Sequence, residues 1–235
     1  MNRVRVLLAV LALTTVSGGA AASQQPPQPT LSYTILPDQS ELVVTAHKSG
    51  LFSFLAGHEH GIVPTAWAGR ICIDSADITR SSLAISVPAE SLVIDSPEAR
   101  RLAGLDPQGG PGPDDRAKIQ QKMLGPEVLD TERYPEIGFQ SEGVAVSVDD
   151  STRLRLTGSF ELHGRADTVR VPVTLSRPIG DSLRARGQFQ FRQTRFGIEP
   201  ESVAGLVNVK DEMTLRFDVV AVREPGSCRG VGAGR

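Results

Sequence analysis

The sequence is poor in cysteine and in the motifs that mark common enzymes. Only Cys72 and Cys228 occur among its 235 residues, and no CxxC pair is present. A zinc knuckle and a thioredoxin-type redox site are therefore excluded. The sequence also lacks a GxSxG nucleophile motif, a Walker loop and the dinucleotide-binding glycine pattern. We predict that the protein is not an enzyme.

Long apolar runs are also scarce. The main one extends from Val6 to about Val16, behind two arginines, and is shorter than the roughly 20 residues needed to span a bilayer. Alanines at positions 20–22 follow it, as in the cleavage site of a secretory signal. We predict a signal peptide at residues 1–22, with a retained amino-terminal anchor as the alternative. The mature protein is expected to be periplasmic or secreted, bacterial and without a membrane span.

Neither sign of charge is in large excess. Removing residues 1–22 takes Arg3 and Arg5 from the 25 basic residues and leaves 23 against 27 acidic ones, a net charge of −4. Nucleic acids and anionic membrane surfaces select basic patches. The sequence therefore argues against nucleic acid as a partner.

What the sequence does contain is a period of two in its apolar residues. In residues 153–163, Leu154, Leu156 and Phe160 alternate with polar side chains. The same alternation recurs at residues 67–73, 83–87, 169–175 and 213–221. Such alternation is typical of antiparallel strands with one dry face and one wet face. Turn residues separate about eight such runs, which predicts an all-β barrel or sandwich.

One segment interrupts this pattern. Ser96 is a suitable cap for a helix that begins at Pro97, and residues 114–124 fit a second helix. We predict a short helical insertion around residues 97–124 that covers one end of the β domain. A proline-rich leader at residues 23–30 precedes this domain, which we place at residues 31–223.

A glycine-rich tail at residues 224–235 is predicted to be flexible, and it contains Cys228. A flexible tail can reach many places on a domain. Whether Cys228 pairs with Cys72 is therefore left open.

Several blocks resemble the YceI-like family. They are YTILPDQSELVVTAHKSG at 33–50, YPEIGFQS at 134–141, LTGSFELHGRADTVRVPVTL at 156–175, FRQTRFGI at 191–198 and VKDEMTLRFDVVAV at 209–222. The resemblance implies an exported protein with a lipocalin-like antiparallel barrel of about eight strands. It also implies an apolar interior that binds a long isoprenoid lipid, in some members with a quinone-like head group, and no other cofactor.

The resemblance gives the alternating apolar residues a role as the lining of a ligand-filled interior; without it they would be read as an ordinary core. An eight-stranded barrel is wide enough to hold either packed side chains or one slender ligand. The predicted ligand-binding residues are Trp67, Ile71, Leu83, Ile85, Phe139, Leu154, Leu156, Phe160, Val171, Val173, Phe189, Phe191, Leu215 and Phe217. The identity of the lipid is left open, as is a homodimer.

The stretch FLAGHEHG at residues 54–61 departs from the family pattern and places two histidines one residue apart. In extended backbone His58 and His60 point to the same side. We predict that they lie at an open end of the barrel and contact the ligand's polar head group, with no metal bound. The alternative is a metal-dependent protein or enzyme in which His47 supplies a third ligand.

Overall fold

The computed structural model describes residues 30–49, 59–176, 181–200, 202–203 and 207–228. In these residues the chain forms twelve β-strands in one antiparallel sheet, with two α-helices between the sixth and seventh strands. The strands are β1 (Thr30–Ile35), β2 (Glu41–Ser49), β3 (His60–Pro64), β4 (Ala68–Asp74), β5 (Ser82–Pro88), β6 (Leu92–Ile94), β7 (Glu136–Val146), β8 (Arg153–Leu162), β9 (Arg165–Ser176), β10 (Ser182–Arg192), β11 (Ser202–Val203) and β12 (Val207–Ser227). The helices are α1 (Pro97–Leu102) and α2 (Pro113–Leu124).

Eight of the strands close into a barrel. Their order around it is β1, β4, β5, β7, β8, β9, β10 and β12, and β1 closes the ring because it pairs with both β4 and β12. Every pairing in the ring is antiparallel. The predicted all-β barrel of about eight antiparallel strands is confirmed.

The remaining strands extend the wall beyond the ring. The long strand β12 pairs with β1 near its carboxyl end and with β2 nearer its amino end. From β2 the sheet continues through β3 to β6, while β11 pairs separately with β12. The strand β12 therefore belongs both to the closed barrel and to a side branch, β2–β3–β6. The sequence pattern did not separate the two.

The barrel wall is incompletely paired between β9 and β10. Their backbone pairing ends at the residues Val173 and Gly187, and Pro172 is the next residue on β9. Proline has no N–H to donate, so it is tolerated where a ladder stops. Beyond this point Arg195 crosses to β9 and donates two hydrogen bonds to Asp167, at 3.0 Å from Nε to Oδ2 and 2.8 Å from Nη2 to Oδ1.

Helix α1 covers the outer face of the side branch and confirms the first part of the helical insertion. The Ser96 hydroxyl caps it by accepting a hydrogen bond from the Ala99 amide at 3.0 Å. Ala99 and Leu102 pack against Val43 and Val63 of the branch. Gly61 lies under the helix, where an added Cβ would lie 2.8 Å from the Ala99 carbonyl carbon.

Helix α2, the second part of the insertion, is attached to the edge of β6. The Gln120 side chain accepts from the Ile94 amide at 2.9 Å and donates to the Leu92 carbonyl at 2.7 Å. One amide side chain thus satisfies a donor and an acceptor that an edge strand would otherwise leave open. No helix in the described part of the chain is both long enough and apolar enough to cross a membrane.

Strand structure continues past the carboxyl boundary that the sequence suggested for the domain. Strand β12 runs to Ser227, past the predicted boundary at residue 223. Cys228 forms a disulfide with Cys72 of β4, with an S–S distance of 2.01 Å. The two cysteines, whose pairing the sequence left open, are therefore bonded to each other. The predicted signal peptide and, apart from Thr30, the proline-rich leader lie outside the described residues, and so does the end of the tail.

Candidate ligand-binding cavity

An apolar cavity of about 190 Å³ lies inside the barrel. Strand alternation sends every second side chain of a ring strand inward, and the register then sets these side chains side by side. Phe139 of β7 faces Phe160 of β8, and Leu156 faces Val171 of β9. The wall is therefore assembled from cross-strand pairs that lie far apart in the sequence.

All but two of the predicted ligand-binding residues lie in the wall of this cavity. Those in the wall are Ile71, Leu83, Ile85, Phe139, Leu156, Phe160, Val171, Val173, Phe189, Phe191, Leu215 and Phe217. The exceptions are Trp67 and Leu154, which pack among apolar side chains beside the wall without lining the cavity. Binding of a ligand by these residues stays a prediction.

Further wall residues were missed, for two different reasons. Leu162, Met213 and Val219 belong to the alternating faces that the sequence shows, but the predicted lining left them out. Met123, Val128 and Leu129 follow no strand pattern, because they come from α2 and the loop behind it. Other residues of the wall that the prediction omitted are Ile35, Leu42, Val44, Ile62, Pro64, Val87, Leu92, Ile137, Gly138, Ala185, Gln193 and Ile198.

Aromatic rings form much of the wall at one end of the cavity. Phe160 makes edge-to-face contacts with Phe189, Phe191 and Phe196, with ring centroids 5.8, 5.2 and 5.3 Å apart. Such pairs favour fixed relative orientations, so the rings present a defined apolar surface. Phe196 is fully buried behind the others.

Two inward-facing glycines let aromatic rings lie flat against the wall. A Cβ on Gly158 would meet the Gln140 carbonyl oxygen and lie 2.7 Å from Cζ of Phe139. One on Gly187 would meet the Pro172 carbonyl oxygen and lie 2.6 Å from Cζ of Phe217. Real Cβ atoms do not approach so closely, so any larger residue would displace both the ring and the backbone of the adjacent strand. The glycines therefore keep the space inside the barrel open.

The cavity wall carries almost no polarity. Among its described residues, Gln193 contributes the one polar side chain, and no charged side chain lines it. A charged ligand group inside would find no partner in this part of the wall, and burying an unpaired charge is costly. The arrangement suits a neutral, mainly hydrocarbon molecule.

His60 lies beside the cavity in an ionic group, which we call the His60–Asp95–Arg100 cluster. The Nδ1 atom of His60 lies 2.5 Å from Oδ2 of Asp95. The other Asp95 oxygen accepts from the Gly61 amide and from Nη1 of Arg100, both at 3.1 Å. The Asp95 and Arg100 side chains are 1% and 8% exposed. Both charges are thus removed from water and are satisfied by each other and by neighbouring groups.

The surroundings of Asp95 hold its carboxyl in the charged form. Burial alone would raise its pKa, but the hydrogen bond and charge of His60 and the hydrogen bonds from Gly61 and Arg100 outweigh burial and lower the pKa below 3.8. The backbone of Asp95 has a left-handed φ of 50°. Aspartate tolerates this conformation better than most residues do.

The structure does not bring His47 and His60 together. His60 pairs with Ala46 across β2 and β3, so His47, the next residue, points to the opposite face. There His47 contacts Glu59 at 3.0 Å and the Thr214 hydroxyl at 3.1 Å. The described residues contain no group of three or more His, Cys, Asp or Glu side chains placed to hold a metal ion. His58 lies outside the described residues.

The family comparison agrees with this architecture. The model of the YceI-like domain matches residues 33–221, and the chain therefore belongs to the YceI-like family. A search of curated protein sequences finds no significant match to it.

Solved structures share the fold at low sequence identity. BcnA from Burkholderia cenocepacia is 17% identical with a TM-score of 0.59, and the match covers 80% of this chain and 99% of BcnA. A polyisoprenoid-binding domain from Saccharophagus degradans is 10% identical with a TM-score of 0.54, covering 83% and 99%. The Campylobacter jejuni YceI protein is 12% identical with a TM-score of 0.50, covering 69% and 84%.

Proposed function

We propose that this protein is an exported carrier or sequestering protein that holds an isoprenoid or a similar long-chain lipid inside its barrel, and that it is not an enzyme. The observation that carries the proposal is the closed barrel around a cavity whose described wall is apolar except for Gln193. The name of the polyisoprenoid-binding domain with the same fold supports this choice of ligand.

Hydrophobic transfer supplies the driving force for such binding. Each CH₂ group moved from water into the barrel contributes roughly 0.8 kcal/mol, so a prenyl tail gains affinity with each unit that the wall encloses. No catalytic group is required. The protein would bind its lipid by shape and polarity, and the polar end of the lipid would set preference among related molecules.

The direct test is native mass spectrometry of the purified protein, with organic extraction of the molecules that copurify. We expect a lipid adduct that is released into the organic phase. Ala185→Phe, which adds a ring to the cavity wall, should reduce the adduct. Ala145 is exposed on β7, so Ala145→Phe should leave the adduct unchanged. An unliganded protein that also fails to take up added prenyl lipids would refute the proposal.

Export to the periplasm or beyond is part of the proposal. It is supported by the signal-like residues 1–22 and by the Cys72–Cys228 disulfide, because disulfides form and persist in oxidising compartments. The intact mass of the protein from a periplasmic extract should correspond to a chain without the first 22 residues. A full-length chain confined to the cytoplasmic fraction would contradict export.

A further inference from the structure

Gln193 is a polar residue in an apolar wall. It begins the short 3₁₀ turn Gln193–Phe196 directly after β10, and it is 8% exposed. It lines the cavity together with Phe191, Ile198 and Met213. An amide in such surroundings is costly unless its polar atoms find partners.

Only one side of this amide is occupied by the protein. Nε2 donates to the Lys210 carbonyl at 2.9 Å, which fixes the orientation of the amide because a carbonyl cannot donate in return. The oxygen Oε1 then faces away from Lys210, and no protein donor reaches it in the described residues.

The free oxygen must border open space. Among the described residues, no fully enclosed side-chain polar atom lacks a hydrogen-bond partner, so Oε1 is not fully enclosed. Because the side chain is nine-tenths buried and lines the cavity, we take this space to be the cavity itself.

We propose that Oε1 of Gln193 accepts a hydrogen bond from a hydroxyl group at the end of the bound lipid. This proposal rests on the proposed function and adds the class of head group, a neutral alcohol. The described wall has no cation to pair with a phosphate, and Oε1 needs a donor, which an ether lacks. The hydrocarbon tail then extends from Gln193 towards Ile71 and Val219 at the other end of the wall.

The test compares three probes of equal chain length: geranylgeraniol, its methyl ether and geranylgeranyl monophosphate. For the unmodified, delipidated protein we expect the alcohol to bind about tenfold more tightly than the ether, since a missing donor leaves a buried acceptor unpaired. The phosphate should bind more weakly than either.

Substitutions locate the effect on the residue. Gln193→Leu should remove the preference for the alcohol while it keeps the affinity for the ether within about twofold. Gln190→Leu, on the exposed face of β10, should retain the full preference. The comparison of probes in the unmodified protein does not depend on the folding of either variant.

The outcomes separate this inference from the function on which it rests. If none of the three probes binds the unmodified protein, the carrier function itself fails. If alcohol and ether bind equally, if the phosphate binds most tightly, or if folded Gln193→Leu keeps the preference, the role of Gln193 is overturned while lipid binding stands.

Discussion

The cavity wall and the His60–Asp95–Arg100 cluster meet on β3, where His60 belongs to the cluster and Ile62, two residues later, lines the cavity. The wall consists of many apolar side chains from all eight strands of the ring, and their contacts are non-directional. The cluster consists of a few groups held by specific hydrogen bonds, with Asp95 at its centre.

This contrast suggests that one region mainly determines lipid binding and the other mainly determines the stability of the fold. An apolar wall tolerates substitutions that conserve volume and polarity, and its shape determines what fits inside. A buried ionic cluster tolerates little, because the loss of one partner leaves another charge unpaired. We therefore expect changes in the wall to act on lipid binding and changes in the cluster to act on folding.

The largest expected effect combines the two regions by placing a charge in the wall. Leu156→Asp buries an unpaired carboxylate and should destabilise the fold by about 4 kcal/mol or more, with loss of lipid binding. Urea unfolding and lipid extraction measure both effects. Thr157→Asp is the control, because Thr157 faces outward beside the exposed Arg170. Equal losses in the two variants would show that the inside and outside of β8 are wrongly assigned.

The next largest effect concerns the cluster. Asp95→Asn should cost about 3 kcal/mol of unfolding free energy, because Arg100 stays buried without its counter-charge. Asparagine accepts the left-handed backbone at this position, so the substitution tests the charge. Asp115→Asn, at an exposed pair with Lys118, should cost less than about 1 kcal/mol. Denaturant midpoints at neutral pH measure both losses of stability, and equal losses in the two variants would contradict the prediction.

The same carboxylate should contribute to acid lability. Its folded pKa is lowered below the ordinary value of 3.8, so its stabilising contribution is complete above that value and is lost as the pH falls through the lowered pKa. Between neutral pH and strongly acidic pH, the unmodified protein should thus lose more stability than Asp95→Asn does. Parallel pH dependences for the two proteins would contradict this assignment.

A smaller effect is expected when the wall changes shape without a change in polarity. Gly187→Ala should press against the Pro172 carbonyl oxygen, displace the Phe217 ring into the cavity and cost about 1–3 kcal/mol of stability, with weaker lipid binding. Gly143→Ala adds the same methyl group on β7, where nothing lies within 4 Å of it, and should have little effect on binding. Titration with a prenyl alcohol compares the two variants.

The smallest effect concerns the connection between α2 and the barrel. Gln120→Ala removes both hydrogen bonds to the β6 edge and should cost about 1–2 kcal/mol, with faster hydrogen exchange in β6. Gln121→Ala changes an exposed residue of the same type on the same helix and should leave the exchange unchanged. Equal exchange rates would mean that packing alone holds α2.

Local patterns in the sequence were enough to predict most of the strands and which of their faces point inward. Alternation in residues 153–163 and 213–221 predicted strands and their inner faces, because a strand with one dry face must repeat every two residues. The same rule placed Phe160 and Leu215 in the wall. It failed for Trp67, which precedes β4, and for Leu154, whose inward direction does not bring it to the cavity.

The predicted head-group site depended on contacts that no local pattern contains. His60 and Asp95 are 35 positions apart, and their contact requires that β3 and β6 pair in one particular register. The sequence therefore suggested an imidazole directed at the ligand's head group or at solvent, whereas the Nδ1 of His60 contacts the buried carboxylate of Asp95. Its partner in that prediction, His58, lies outside the described residues, and contact with a head group stays a prediction for both histidines.

The sequence by itself determined the class of fold and the apolar character of the barrel interior, since both follow from side-chain alternation and turn residues along the chain. Tertiary structure alone decided that β1 and β12 close the ring, that Cys228 reaches Cys72, and that α2 adds Met123 to the wall. It also decided that Gln193 lies in that wall as the one polar side chain among the described residues. These features depend on which distant segments meet, and the free energy of such contacts arises only once the chain has closed around its interior.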